Sequence, residues 1–355
     1  MSKFKSIIEL LEIRIRRGDY AVAELPAEGK LAKDIGVARL TARKAVNHLV
    51  DKGVLFRLPN GRATIRRKSR LSGIPLQLAF LAPTYVNSND TNLCRIAAKK
   101  AASAAGANLR SVEYVSWDDP SIESALRGFD GVFFKPWTEF TPQWIIESIK
   151  KSPASVFVLD QDLSEHGVRS LCPFPPVFLQ RLLDHLAGLG HKRIDCFNVQ
   201  PIESVIAKRI EQWNIWKAAH GMSGELWSME SDSPLKASYD SMLRLLDSAP
   251  LSATAFLCTT GPCAIGAMRA LHERRISIAK DVSICAVNDE GLGRYVVPTL
   301  TALEMPDLVP FMSICIQWMA RGEKKWVGPL RMQPEEIPMF IGESTGPAPD
   351  REKPA

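Results

Sequence analysis

A chain of 355 residues is too long for one small domain and comfortable for two or three. Its 46% hydrophobic and 24% charged residues are the mixture of a soluble globular protein with enough apolar mass for real cores. The net charge of +6 is unevenly spread: residues 1–70 hold 17 Lys and Arg against 7 Asp and Glu, and the remainder is net acidic by four. A basic head on a mildly acidic body points the head, not the whole chain, at a polyanion.

The opening "MSKFKSIIELLEIRIRRGDY" is charged every few residues, which excludes a signal-peptide core there, and no window approaches the ~20 apolar residues of a membrane span. Seven cysteines (Cys94, Cys172, Cys196, Cys258, Cys263, Cys285, Cys315) are scattered, with no CxxC, and most lie in apolar runs. They read as reduced, buried thiols, with neither a disulfide framework nor a metal site. The expectation is a cytoplasmic protein with no membrane contact.

In chain order, the first predicted element is an amphipathic helix from Phe4 to Arg17, with Ile7, Ile8, Leu11 and Ile15 on one face and Gly18 closing it. Pro26 precedes a short second helix that buries Leu31 and Ile35 and stops at Gly36. A third helix is predicted from Arg39 to Lys52, with Ala42, Ala45, Val46 and Leu49 as its buried stripe. Arg39 and Arg43 share a face about 90° round from that stripe. "VLFRLPNGRATI" then alternates and turns at Asn60-Gly61, a strong hairpin signal.

Three short helices and a two-stranded hairpin make a winged helix-turn-helix, residues 1–68. Such a unit enters the major groove by the N-terminal end of its last helix, where an arginine fork can bond guanine O6 and N7 together. The segment 69–75 reads as a linker, basic and then broken by Gly and Pro.

Beyond residue 75, strand candidates alternate with amphipathic stretches: "QLAFLAP", "LRSVEYV", "DGVFFKP", "ASVFVLD", "RIDCFNV", "GELWSM", "ATAFLCTT" and "DVSICAVND". That alternation predicts an α/β body of parallel sheets covered by helices, with ligand sites at the carboxyl ends of the strands. Those ends read "KPW", "DQD", "TTG" and "NDE". The body contains no Walker A run, Gly-x-Gly-x-x-Gly, Gly-x-Ser-x-Gly or HExxH, and the six histidines are dispersed. Neither an enzyme nor a cofactor is expected.

The head resembles the GntR type of winged helix. The segments that carry the resemblance are "RRGDY", "LPAEGKLAKDIGVARLTARKAVNHLVDKGVLF" and "PNGR". The resemblance implies that Arg39, Thr41 and Arg43 touch DNA from the recognition helix, with Asn60, Gly61 and Arg62 at the wing. Two positions depart from the pattern. Gly29 stands where the family carries an arginine, so Lys30 is expected to replace that contact in part. Ala38 stands where a Ser or Thr caps the recognition helix, a loss of about 1 kcal/mol.

The body resembles the LacI/GalR effector domain, a two-lobed fold like that of periplasmic sugar-binding proteins. "FDGVFFKP", "LLDHLAGLGHKRID", "AKRIEQWNIWKAAHG" and the run from "ATAFLCTT" to "AVNDE" carry that likeness over nearly all of residues 76–345. It implies one lobe from about 76–175 and 301–332, and a second from about 176–300 and 333–345, around a cleft. The cleft residues it implies are Arg209, Asp160, Asn288, Thr260, Trp227 and Trp137. Thr260-Gly261 replaces the family's Asn-Asp, and Asn288 replaces an Asp, which removes acceptors that sugar hydroxyls favour. The ligand is therefore expected to be an unusual sugar or something else.

Together the resemblances imply a homodimeric transcriptional regulator, most simply a repressor. It would bind a pseudo-palindromic double-stranded DNA operator and respond to a small molecule, a carbohydrate or a relative of one. The rival reading is a cytosolic small-molecule binder or sugar-processing enzyme with an incidental basic head. Residues 346–355, "GPAPDREKPA", are expected to be a disordered tail.

Overall fold

A computed structural model describes residues 3–21, 25–65, 75–84, 88–231, 233–321 and 326–350. The head contains α1 (Lys3–Arg16), α2 (Glu28–Asp34), α3 (Arg39–Asp51), β1 (Leu55–Arg57) and β2 (Ala63–Ile65). Ile7, Ile8, Leu11 and Ile15 of α1 meet Leu31 of α2, Ala45, Val46 and Leu49 of α3 and Leu55 of β1 in one small core. The two strands pair antiparallel, Phe56 opposite Thr64.

Their turn differs in one detail from a two-residue Asn-Gly loop. Gly61 N donates to Leu58 O at 2.8 Å, and Leu58 N donates to Arg62 O at 2.8 Å. Pro59 and Asn60 therefore hold the centre of the turn, and Gly61, at φ +79°, takes the left-handed position after them. The predicted linker lies outside the described residues up to residue 74.

The body follows as β3 (Gln77–Pro83), α4 (Asn89–Ala104), β4 (Asn108–Tyr114), α5 (Pro120–Gly128), β5 (Gly131–Phe134), α6 (Gln143–Lys151), β6 (Ser155–Leu159) and β7 (Ser170–Leu171). Next come α7 (Gln180–Gly188), β8 (Ile194–Asn198), α8 (Ser204–Ala219), β9 (Leu226–Ser228), α9 (Pro234–Ser248), β10 (Ala255–Cys258), α10 (Gly261–Glu273), β11 (Ser283–Ala286) and β12 (Thr301–Leu303). The chain ends with α11 (Val309–Arg321), β13 (Arg331–Met332) and β14 (Met339–Phe340).

Two sheets result, in strand orders β13-β7-β6-β5-β3-β4 and β14-β12-β11-β10-β8-β9. Every pairing is parallel except β12 with β14. Helices cover both faces of each sheet, which is why the strands read as unbroken apolar runs. In the first lobe Val132, Phe134, Val156 and Val158 face α5 and α6, while Phe133 and Phe157 face α4 and α11. In the second, Phe197 and Phe256 face α9 and α10, while Cys196 and Leu257 face α7 and α8.

The chain passes between the sheets after β7, after β12 and after β13. The middle passage comes later than the boundary expected at residue 301. Cys285 and Ala286 of β11 pair with Thr301 and Ala302, so β12 stays with the second lobe because it extends that sheet's ladder. The tail also differs from expectation where it is described. Gly346 N donates to Ser283 Oγ at 3.0 Å, and Ala348 N to Leu189 O at 2.8 Å, which ties the start of "GPAPD" to the second lobe.

The head docks on the first lobe. Gln77 Nε2 donates to Arg16 O at 3.1 Å, Asn108 Nδ2 donates to the same carbonyl, and Arg110 Nη2 reaches Arg17 O at 2.9 Å and Asp19 Oδ1 at 2.8 Å. These side chains cap carbonyls that the end of α1 leaves unpaired, and a guanidinium suits the negative end of the helix dipole. Gly18 sits at φ +73°, a left-handed conformation that favours glycine, and a Cβ there would displace the end of the Gln77 side chain. Ala21 is buried in the first lobe's core.

Candidate nucleic-acid interface and interlobe cleft

On the head, α3 is preceded by Ala38 at its N-cap, which is extended (ψ 143°) and makes no side-chain cap bond. Arg39 follows on the first turn, exposed, and Thr41 is half-buried. Arg43 is 67% exposed one turn on, with Nε 4.0 Å from Glu28 Oε2. Lys30 on α2 and Asn60, Gly61 and Arg62 at the hairpin turn are exposed as well. Asn60 spends its side-chain oxygen on Arg62 N at 3.1 Å, which braces the turn.

The sequence reading missed the residue that joins these parts. Arg57, on β1, donates from Nη2 to Glu28 Oε1 at 2.9 Å and Asn47 Oδ1 at 2.6 Å, and from Nη1 to Gly61 O at 2.6 Å. One guanidinium thus ties α2, α3 and the hairpin together, and Glu28 stands between Arg57 and Arg43.

In the body, the strand ends of both lobes face one seam. The first lobe supplies Lys135 after β5, Asp160 after β6, and Asn89, Asp90 and Thr91 at the start of α4. The second supplies Thr259 and Thr260 after β10, Asn288 and Glu290 after β11, and Arg209 from α8. Lys135 and Asp160 form an ion pair. Arg209 Nη1 donates to Thr259 O at 2.6 Å and to Asn288 Oδ1 at 3.3 Å.

Among the described residues, four hydrogen bonds close the seam from lobe to lobe. Asn288 Nδ2 donates to Asp90 Oδ2, and Asn89 donates from N to Glu290 Oε2 at 3.1 Å and from Nδ2 to Glu290 O at 2.5 Å. At its rim Phe140 N donates to Glu203 Oε2 at 3.3 Å.

Burial sets the charge states here. It pushes Asp90 above the ordinary carboxylate range, against the opposing pull of Lys135. It raises Glu290 to about 7, with the neighbouring Asp90 adding to the rise. Lys135 is pushed down by burial, and Arg209 down to about 10 by the same cause. Four buried polar atoms of the seam have no partner: Asp90 Oδ1, Thr91 Oγ1, Arg209 Nε and Thr260 Oγ1. Unpaired buried polar atoms are costly, and a cluster of them facing one seam is what a binding site looks like before its ligand arrives.

Of the residues named from sequence, Asp160, Arg209, Thr260 and Asn288 belong to this group. The tryptophans do not. The Trp137 ring packs edge-on against Tyr114, centroids 6.0 Å apart, and only its carbonyl faces the site, accepting from Gln161 Nε2 at 2.7 Å. Trp227 lies with the layer under α9 and α10 and donates Nε1 to Asp195 Oδ2 at 2.7 Å. Edge strand β9 turns that ring onto its own sheet, away from the strand ends. Asp90, Lys135 and Glu290 were missed, although two of them stand in "KPW" and "NDE", the strand-end tripeptides noted from sequence.

Residues 3–65 match the family "Bacterial regulatory proteins, gntR family", and residues 183–307 match the "Periplasmic binding protein-like domain". The chain joins a GntR-type head to a periplasmic-binding-protein-like body. It is 21% identical over 181 residues to the "Probable HTH-type transcriptional repressor ExuR" of Bacillus subtilis, covering 50% of this chain and 53% of that protein. The chain thus spans about half the length of this curated relative.

Among solved structures, a LacI family transcriptional regulator from Mycobacterium smegmatis superposes with a TM-score of 0.64 at 17% identity, over 77% of this chain and 99% of that one. The lac repressor dimer bound to operator and the anti-inducer ONPF gives 0.61 at 17% identity, over 78% and 96%. The periplasmic-binding-protein-like fold of the body, two parallel-dominated lobes about a cleft, is therefore shared with these regulators. Among the described residues, no helix is long and apolar enough to cross a membrane, and no cluster of His, Cys, Asp and Glu could hold a metal ion.

Proposed function

We propose that this chain is a sequence-specific DNA-binding transcriptional regulator, working as a cytoplasmic homodimeric repressor whose operator affinity is set by a small molecule between the lobes. The observation that carries the reading is the exposed end of α3. Arg39 and Arg43 project there one turn apart, beside a hairpin tip bearing Arg62, in a head that matches the gntR family. Arg39, Thr41 and Arg43 read bases in the major groove. Lys30, Asn60, Gly61 and Arg62 meet flanking phosphates or the minor groove. ExuR is a probable transcriptional repressor and the lac repressor is seen as a dimer on its operator; both support the same reading.

In this reading Arg209, Asp160, Thr260 and Asn288 contact the effector, and closing the lobes shifts the spacing of two heads. The docking of α1 on the first lobe supports that coupling, because the head follows the lobe that carries it. The test is selection of bound duplexes from a random pool by the full-length protein. The expected result is an enriched inverted repeat, bound less tightly by Arg39→Ala and by Arg43→Ala. A pool that never enriches, or two variants that bind the selected site as well as the parent, would overturn the assignment.

A further inference from the structure

The proposed function leaves the chemistry of the cleft ligand open, and the unpartnered atoms of the seam narrow it. Arg209 is buried at 6% exposure, yet both acceptors of its Nη1 are neutral, the Thr259 carbonyl and the Asn288 amide oxygen. Its Nε, on an edge that a guanidinium uses for two-point contact with a carboxylate, has no partner. Beside it Thr260 stands at the N-cap of α10, 5% exposed, with a hydroxyl that neither caps the helix nor bonds elsewhere. Gly261 brings that helix start against the 288–289 backbone; a Cβ on it would lie 2.9 Å from Asn288 O. A cationic edge, a hydroxyl and the positive end of a 13-residue helix therefore converge on lobe two.

Across the seam the polarity reverses. Asp90 Oδ1, on lobe one, is a buried acceptor without a donor. Asn288 bridges the two sides, taking Arg209 Nη1 on its oxygen and giving its nitrogen to Asp90 Oδ2. The unmet donor and the unmet acceptor are thus one amide side chain apart.

We infer that the cleft takes a small organic acid with a hydroxyl or ammonium group on a carbon next to, or one removed from, the carboxylate. The acid meets Arg209 Nε and Thr260, and the neighbouring donor meets Asp90 Oδ1. This rests on the regulator reading for its setting and deepens it by naming the ligand class. A neutral polyol would leave a buried guanidinium with no anion in hydrogen-bond contact. A phosphate would bring a second charge and a third oxygen to a site with few free donors, with Asp90 and Glu290 close by.

The experiment is calorimetric titration of the full-length protein with matched pairs: D-gluconate against D-glucitol, D-glucuronate against D-glucose, and L-serine against serinol, plus D-glucose 6-phosphate. At least one acid is expected to bind about tenfold or more tighter than its partner lacking the carboxylate and than the phosphate. Arg209→Gln, with its fold checked by circular dichroism, is expected to weaken that acid by about 30-fold or more, and Arg209→Lys by less. The inference is overturned if the partners lacking the carboxylate bind as well as the acids, if the phosphate binds best, if no acid binds, or if Arg209→Gln keeps its preference. Duplex selection by the same protein preparation is scored separately, so a wrong ligand class and a wrong regulator reading give different results.

Discussion

The head and the interlobe seam both present arginines, but in opposite surroundings. Arg39 and Arg43 stand in water on a helix end, while Arg209 is buried among neutral acceptors. An exposed cation costs the fold little and waits for a polyanion; a buried one is held in place by partners from several segments. Changes in the head should therefore alter binding and spare stability, and changes in the seam should alter stability as well.

The largest effect is expected at Lys135. Removing it as Lys135→Ala leaves the half-buried Asp160 without its cation, and losing such a charge-assisted contact costs about 1.5–3 kcal/mol; a chemical-denaturation curve should show the loss. A midpoint within error of the parent would mean that the seam is as tolerant as the surface. Next, Arg43→Ala should weaken binding to the selected duplex by about 1–3 kcal/mol and relax one base position. The same variant should change folding stability by less than about 0.5 kcal/mol, since the side chain is exposed.

A smaller effect concerns pH. Glu290 is raised by burial from its ordinary 4.5 to about 7, among Asp90, Lys135 and Arg209. The unfolded chain then ionises this group first, so stability attributable to it is full below about 4.5 and is lost as pH rises towards 7. Glu290→Gln should flatten that slope and melt higher than the parent at pH 8, with no such advantage at pH 4. Parallel pH profiles for the two proteins would show the carboxyl is not held up. The smallest effect is expected for Arg110→Ala. Loss of a half-exposed ion pair with Asp19 should cost less than about 1 kcal/mol, yet quicken proteolytic release of the head. Unchanged cleavage would mean the docking contact does not hold the head.

The same contrast explains what could be read in the sequence. Helix periods, glycine stops and the Asn60-Gly61 turn act over a few residues, so the head and its arginines were legible. The alternating body elements were legible for the same reason. The seam was legible only in part: Asp160, Arg209, Thr260 and Asn288 were named, while Asp90, Lys135 and Glu290 acquire meaning only when residues far apart in the chain meet. Trp227 misled because an aromatic on an edge strand can turn either way, and Asp195 decides which. β12 escaped because a three-residue strand shows too little alternation to reveal which ladder it extends.

The polar grip of the first lobe on the end of α1 falls on the Arg16 and Arg17 carbonyls and the Asp19 carboxylate, and Ala21 adds a small apolar anchor. Main-chain oxygens are present at the end of any helix. A different head needs a helix ending in a glycine, an acid two residues after the last carbonyl and a small apolar residue two further on to dock in the same orientation. The joint is thus indifferent to the rest of the head's sequence, which makes it a socket where one reader of DNA could be exchanged for another without rebuilding the sensor beneath.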